Sequence, residues 1–262
     1  MQIATWNVNS IRSRLEHIVQ WLTVTSVDVL CIQETKVIDQ DFPVSPLQEI
    51  GYNVYFSGQK SYNGVAIVSR QPMTDVSTGF APVLGKADLD EQKRLITGTI
   101  DGVSIVNVYV PNGAEVGSDK YEYKLTWLRS LQEYLKILLD KNSNICVCGD
   151  FNIALEDQDI HDPIAAKNSI MASEAERQAL KSILDLGCAD AFRKFTREPG
   201  HYSWWDYRNM AFRRNKGWRI DHLYLTPQLY EKSTSCIIDK NPRKLEKPSD
   251  HTPVIVEISL GE

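Results

Sequence analysis

Apolar residues in this chain gather into short runs that stop abruptly at polar ones. Gln2 to Val8 alternates and reads as a strand; Asn9-Ser10 then caps a helix with Ile11, Leu15, Ile18 and Leu22 at helical spacing. Val27 to Gln33 is a second apolar strand, stopping at Glu34. Tyr52 to Ser57 and Val65 to Ser69 are strands joined by a turn that carries Gly58, Ser61, Asn63 and Gly64. Leu95 to Ile100 and Val103 to Val110 predict a hairpin around Asp101-Gly102, ended by Asn112-Gly113. Lys120 to Asp140 has leucines and aromatics at helical spacing. Asn144 to Cys148 reads as a buried strand that runs into Gly149-Asp150-Phe151-Asn152, the glycine freeing the backbone to turn sharply or to approach a ligand. Residues 153 to 172 form a long polar loop, a length that usually carries function. Ser173 with Glu176 makes a capping box for a helix ending at Gly187. Trp218 to Leu225 and Pro253 to Ile258 are the last two predicted strands. Many strands with a few helices spread among them predict α/β layers around a two-sheet core, and the hairpins argue against a purely parallel sheet. No repeat, low-complexity tract or heptad array is visible.

Length and charge narrow the classes. A chain of 262 residues without an obvious linker fits one large domain or two small ones. At that length roughly 70–75% of the unfolded surface is buried, so no staples are needed. No apolar run is long enough to span a membrane, and the start Met1-Gln2-Ile3-Ala4-Thr5-Trp6 lacks a secretory signal, so a cytoplasmic protein is expected. Cys31, Cys146, Cys148, Cys188 and Cys236 have no metal-ligand spacing with histidine and read as buried free thiols in a reducing compartment. The net charge of −5 argues against nonspecific coating of nucleic acid. Locally the balance reverses: residues 193–219 carry eight Lys or Arg against Glu198 and Asp206, interleaved with aromatics. That mixture suggests a polyanion-binding face; the alternative is a solvated loop whose tryptophans serve the core.

The polar residues at the strand ends carry the chemistry. Asn7, Glu34, Tyr109, Asn112, Asp150, Asn152, Asp221 and the pair Asp250-His251 each stand at or beside the end of a predicted strand, and strands of a sandwich share two rims. Singly each is ordinary turn or packing chemistry. Together Glu34, Asp150 and Asp250 are hard oxygen donors and Asn7 and Asn152 neutral ones, a set suited to Mg²⁺ or Mn²⁺ and not to zinc. Asp221 can fix the tautomer of His251. No nucleophile elbow, phosphate-binding loop or activated cysteine is present, which leaves water as nucleophile. A divalent cation on a phosphate, with a base that aims water, is phosphodiester hydrolysis.

Six blocks carry a resemblance: Trp6-Asn7-Val8-Asn9, Gln33-Glu34-Thr35-Lys36, Asn107-Val108-Tyr109-Val110-Pro111-Asn112-Gly113, Gly149-Asp150-Phe151-Asn152, Trp218-Arg219-Ile220-Asp221 and Ser249-Asp250-His251. In order and content they resemble the signature blocks of the exonuclease III-type AP endonucleases, within the endonuclease/exonuclease/phosphatase superfamily. The resemblance covers nearly the whole chain. It implies a single domain over residues 1–262 with a four-layered αββα sandwich fold, two mixed β-sheets flanked by helices, and the active site at one rim. It implies Mg²⁺-dependent hydrolysis of duplex DNA 5′ to an abasic site, with 3′-phosphodiesterase, 3′-phosphatase and 3′→5′ exonuclease activity, by a monomer. By the same match Glu34 is the principal metal ligand, with Asn7 and Asp250 beside it and Asp150, Asn152 and His251 within the metal-binding set. Asp150 activates water or protonates the leaving oxygen, Asn152 stabilises the transition state, and Tyr109 contacts phosphate. His251, supported by Asp221, binds phosphate or acts as the rival base. DNA contacts implied are Arg12, Tyr62, Asn63, Asn112 and Lys120, with Trp218, Trp204 and Ile220 forming the pocket for an extruded abasic sugar.

One departure stands out. Some relatives carry an arginine shortly after the Pro-Asn block that inserts into the duplex. Here the run is Gly113-Ala114-Glu115-Val116-Gly117, with an acid and no arginine. This bears on grip of the incised product, and so on the balance between incision and 3′-end cleaning. Two rival classes remain: a superfamily hydrolase acting on a lipid phosphodiester, disfavoured by the basic aromatic segment, and a nucleic-acid-binding module without catalysis, disfavoured because every matched position is filled.

Overall fold

The structure, a computed structural model, describes residues 1–261. Among them twelve strands run in chain order: β1 (Gln2–Asn7), β2 (Val29–Gln33), β3 (Asn53–Ser57), β4 (Val65–Ser69), β5 (Thr74–Thr78), β6 (Leu95–Ile100), β7 (Val103–Tyr109), β8 (Ile145–Asp150), β9 (Ala189–Asp190), β10 (Asp221–Leu225), β11 (Ser233–Ile238) and β12 (Val254–Ile258). The α-helices are α1 (Ile11–Thr25), α2 (Val44–Glu49), α3 (Ala81–Leu84), α4 (Asp119–Leu139), α5 (Glu174–Leu184), α6 (Ala191–Phe195) and α7 (Pro227–Lys232). The strands form two six-stranded sheets, in the orders β11-β12-β1-β2-β4-β3 and β5-β6-β7-β8-β10-β9.

The central strands are apolar on both faces, and this sets the layering. Along β2, Val29 and Cys31 face the other sheet while Leu30 and Ile32 face α1 and α2. Along β8, Cys146 and Cys148 enter the same middle layer, while Ile145 and Val147 meet α4 and α5 through Trp127, Leu131, Leu180 and Ile183. Three apolar layers therefore separate four layers of secondary structure, the αββα sandwich expected. The cysteines are buried free thiols.

The sheets share one plan. In each, a central parallel pair is joined by a helical crossover, β1-α1-β2 in one and β7-α4-β8 in the other, with antiparallel strands outside it. This pseudo-symmetry leaves no repeat in the sequence. Near one rim the sheets are tied by buried polar groups. The Asn107 amide donates to the carbonyls of Ile32 (3.0 Å) and Ala66 (2.8 Å) and accepts from Gln33 (2.7 Å).

Several boundaries depart from the sequence pattern. Strands β5, β9 and β11 were not visible in it. β5 and β11 are edge strands with mixed exposure, each with a register irregularity against its neighbour, and an edge needs no apolar alternation. β10 begins at Asp221, because Trp218 bridges Trp204 and Ile160 instead of joining the sheet. Helix α5 starts with both bonds of the Ser173–Glu176 capping box but stops at Leu184, before the left-handed Gly187. Ser10, not Asn9, caps α1. Gly149 is needed for a neighbouring strand and not for a ligand: with φ +145°, a Cβ there would lie 1.9 Å from the Val108 carbonyl oxygen.

Candidate active site

Because β1, β2, β7 and β8 all point their C-terminal ends toward one rim, the polar residues that stop them converge. Asn7 ends β1, Tyr109 pairs with Asp150 across the parallel β7–β8 ladder, and Asp150 pairs with Asp221 across β8–β10. The Asn7 amide nitrogen donates to Glu34 Oε2 (3.0 Å) and to Asp150 Oδ2 (2.9 Å), so it draws two carboxylates from different sheets together. Its oxygen accepts from the Asn9 N–H (2.9 Å), which leaves one lone pair for the metal-ligand role implied for Asn7. Glu34 sits at φ +59° and pairs with Lys36 (2.9 Å), whose ammonium also reaches Asn9 Oδ1 (2.6 Å). The Asn9 amide continues to Asp250 (3.0 Å), which also accepts from the Trp204 indole (2.9 Å).

Asp150, Asp221 and His251 form the buried centre. Each offers one atom, all within 4.8 Å of one another. His251 Nδ1 bonds Asp221 Oδ2 at 2.8 Å, and its Nε2 faces Asp150 Oδ2 at 3.7 Å. Burial works against the imidazolium, but the charges of Asp221 and Asp150 outweigh it and hold His251 well up, at about 10. Burial raises Asp150 to about 7, with the Asp221 charge adding to it and His251, Asn7 and the Asn152 N–H opposing. Asp250 is held low: burial works against its charge, but His251, Trp204 and Asn9 prevail. Tyr109 is pushed well above its usual range by burial and by Glu34 and Asp150, so it keeps its proton despite the Arg94 guanidinium 4.6 Å from its ring centre.

Asn152 is left-handed, at φ +49°, beside this centre. Its N–H donates to Asp150 Oδ1 (2.9 Å), its amide donates to the Val110 carbonyl (3.0 Å), and its oxygen accepts from Asn112 (3.1 Å). Tyr62, Asn63, Asn112 and Lys120 line one cavity of about 460 Å³ with Arg94. Tyr62 is 70% exposed at its mouth. Arg12 lies on the exposed face of α1, and it is Arg14 that binds the rim, through the Asn9 and Pro248 carbonyls. Trp204 and Trp218 are half-buried, whereas Ile220 is buried with Ile160, Met171 and Ala172, and the two tryptophans pack against that cluster.

The basic aromatic segment is split by the fold. Arg193 and Arg219 turn inward onto Asp159, and Lys194 onto main-chain carbonyls of 230, 231 and 233. Trp205 and Tyr202 join the core. Arg197, Arg208, Arg213, Arg214 and Lys216 remain at the surface, where Arg208 pairs with Asp206. The sequence pattern offers Asn9 only as part of a helix cap and gives no role to Lys36, Arg94 or Lys124. Lys36 and Asn9 lie inside the matched blocks, which was their one signal.

A model described as the endonuclease/exonuclease/phosphatase family matches residues 4–251. The chain belongs to that family. It is 32% identical to the exodeoxyribonuclease of Bacillus subtilis over 99% of its own length and 100% of the relative's. Among solved structures it is similar to an AP endonuclease from Archaeoglobus fulgidus (42% identity, TM-score 0.94, covering 99% of this chain and 100% of that one). It is also similar to a 3′ phosphatase from Neisseria bound to product DNA hairpin (39% identity, TM-score 0.94, covering 99% of each chain). The family's relatives of the exonuclease III/AP endonuclease kind thus match from end to end.

The donor set fits a divalent cation. Its buried centre offers two carboxylates and one imidazole, those of Asp150, Asp221 and His251, and among the described residues the buried Asp221 Oδ1 has no hydrogen-bond partner.

Proposed function

We propose that this chain is a DNA repair nuclease that hydrolyses a phosphodiester of duplex DNA at the rim built by Asn7, Glu34, Asp150, Asn152, Asp250 and His251. The preferred bond is the one 5′ to an abasic site, with cleaning of blocked 3′ ends at the same centre. The observation that carries this reading is Asp150, a buried carboxylate near neutrality between a cationic imidazole and the Asn7 amide. A pKa close to the working pH suits a general base for water. His251, held as imidazolium by Asp221, suits a phosphate oxygen as ligand instead of acting as the base. The protonated Tyr109 hydroxyl and the second N–H of the Asn152 amide are donors for the remaining phosphate oxygens. Mg²⁺, held by Glu34 with Asp250 and the Asp150 group, would supply the positive charge that offsets the phosphate. Trp204 and Trp218 over Ile220 offer an apolar surface to a sugar turned out of the duplex. With five buried free cysteines, the setting proposed is the cytoplasm, on chromosomal DNA, as a monomer.

A second reading is an enzyme that mainly cleans 3′ ends. It is favoured by the run Gly113 to Gly117, which lacks an arginine, and by a likeness to a 3′ phosphatase at the same TM-score, 0.94, as to the AP endonuclease. The test is cleavage of two labelled duplexes, one with an internal abasic-site analogue and one with a 3′-phosphate at a nick, in Mg²⁺ and in EDTA. Mg²⁺-dependent cutting 5′ to the analogue is expected. Phosphate release without incision would establish the second reading, and binding without any reaction would overturn both.

A further inference from the structure

Lys124 is a lysine with no exposure at all, in the second turn of α4, facing the active-site loops. All three of its ammonium protons have partners: the Asn112 carbonyl at 3.0 Å, the Asn152 carbonyl at 2.7 Å and Glu176 Oε1 at 2.5 Å. Glu176 is equally buried. Its carboxylate also accepts from the N–H groups of Met171 and Ser173, each at 3.0 Å, and from the Ser173 hydroxyl at 2.6 Å.

We propose that the Lys124–Glu176 pair is a positioning device for the reaction, a buried clamp that fixes the peptide groups of Asn112 and Asn152 so that their side chains meet at the substrate phosphate. This rests on the functional reading above, in which Asn152 addresses that phosphate. The pair is not needed for stability alone. A buried ion pair can commonly be replaced by apolar groups of the same size at little or no cost, and the cap of α5 needs only an acceptor at Glu176. What the ammonium adds is a common donor for two carbonyls in separate loops, one after β7 and one after β8.

Asn152 has particular need of it. Its backbone is left-handed, a conformation that asparagine adopts more readily than other non-glycine residues but that its neighbours still have to hold in place. The same residue carries the N–H that holds Asp150 Oδ1 and the side-chain amide that meets Asn112. If its carbonyl were released, the main chain would be free to relax, and both the Asn152 amide and its grip on Asp150 would move. The clamp has a second arm: Glu176 holds the N–H of Met171, whose carbonyl accepts from the N–H of Ala154 at 2.8 Å, so the far end of the long loop is registered against the same segment.

The experiment compares the wild type, Glu176→Gln, and the double variant Lys124→Met with Glu176→Gln, in which both charges leave together and the cap keeps an acceptor. Each is assayed on the duplex that the wild type cleaves best, and the side-chain amide signals of Asn112 and Asn152 are followed by ¹⁵N NMR. In the double variant kcat is expected to fall about ten- to a hundredfold, KM for the duplex to stay within about twofold, and both amide signals to shift. Glu176→Gln alone, which takes the carboxylate from a fully buried ammonium but leaves a donor for both carbonyls, is expected to lose more thermal stability than the double variant and to show a smaller fall in kcat. A purely structural cap would instead make the two variants alike and lower thermal stability without separating kcat from KM. A folded double variant with wild-type kcat and unmoved amide signals would overturn the proposal. If the Met-containing double variant does not fold, Lys124→Leu with Glu176→Gln, which likewise offers the two carbonyls no donor, replaces it, with the same expectations. The NMR readout does not depend on cleavage, so an inert wild type would sink the functional reading while the clamp is still tested.

Discussion

Asp150 and His251 face each other 3.7 Å apart and compete for the same proton, and this competition has a kinetic signature. A base must be ionised to act, so kcat/KM is expected to rise with pH through about 7. It should fall again as the imidazolium is lost near 10. Since the His251 charge lowers Asp150, His251→Gln should move the acidic limb to higher pH; if that limb disappears instead, His251 is the base. Higher Mg²⁺ should move the limb down, because a cation beside Asp150 favours its ionised form. Asp150→Asn should cost about 10²–10⁴ in kcat, the usual worth of a positioned base. Asn7, Glu34, Asp150 and Asp250 could be found from the sequence because each stands at or just before an end of an apolar run, a local signal. Lys124 and Arg94 could not. Lys124 reads as a helix surface lysine until Glu176 is brought to it, and Arg94 as a charge before a strand until Tyr109 stacks beneath it.

The loop from 153 to 172 shows how an element without periodicity becomes ordered. Its Asp159 is buried and bonded to Arg219 (2.7 Å), which also reaches Asp190 (2.7 Å) and His222 Nδ1 (3.1 Å). His222 Nε2 donates in turn to the Ile153 carbonyl at 2.8 Å. The imidazole is thus neutral, with its acceptor nitrogen against a guanidinium, and its pKa is lowered first by burial and then by the Arg219 charge. A folded pKa below the unfolded one means that the unfolded chain takes up the proton first. The stabilisation is therefore complete above about pH 6.5 and is lost as pH falls below it. From about pH 7.5 to about pH 5.5 the wild type should lose about 1 kcal/mol more stability than His222→Gln, which keeps both hydrogen bonds without titrating. Urea unfolding at the two pH values measures this, and equal losses would remove His222 from the account. The chain pattern showed this segment only as polar length, since its partners come from β9 and the start of β10. Edge strands β5 and β11 escaped for a related reason: they are recognised by a neighbour's hydrogen bonds and not by their own side chains.

The two sheets meet at the catalytic rim through side chains that neither could satisfy alone. Asn107 from β7 fills carbonyls of β2 and β4, and Asn7 from β1 bridges Glu34 to Asp150 on β8. Replacing Asn107 by alanine would leave those carbonyls unpaired at the sheet–sheet contact and should cost about 2–4 kcal/mol, read as a lower urea midpoint. The same geometry makes the cation a link between the halves of the molecule. Carboxylates from both sheets are crowded at one rim, and their repulsion is only partly offset by Lys36 and His251. A cation that binds the folded chain and not the unfolded one stabilises by mass action, about 1.4 kcal/mol at ten times its dissociation constant. In a chain of this size that is a rise in Tm of roughly 3–5 °C. Mg²⁺ or Mn²⁺ titrated into metal-free protein should therefore raise Tm in a saturable way, and EDTA should reverse it. Glu34→Gln should weaken the response, because it removes a charged ligand and leaves Lys36 unpaired beside the site. Asp28, whose carboxylate accepts from the Gln2 N–H at 2.7 Å where the first sheet begins, is the control. Loss of its charge should leave the metal response intact, and a response lost equally in Asp28→Asn and Glu34→Gln would mean that the cation acts on the protein's overall charge and not at the rim between the sheets.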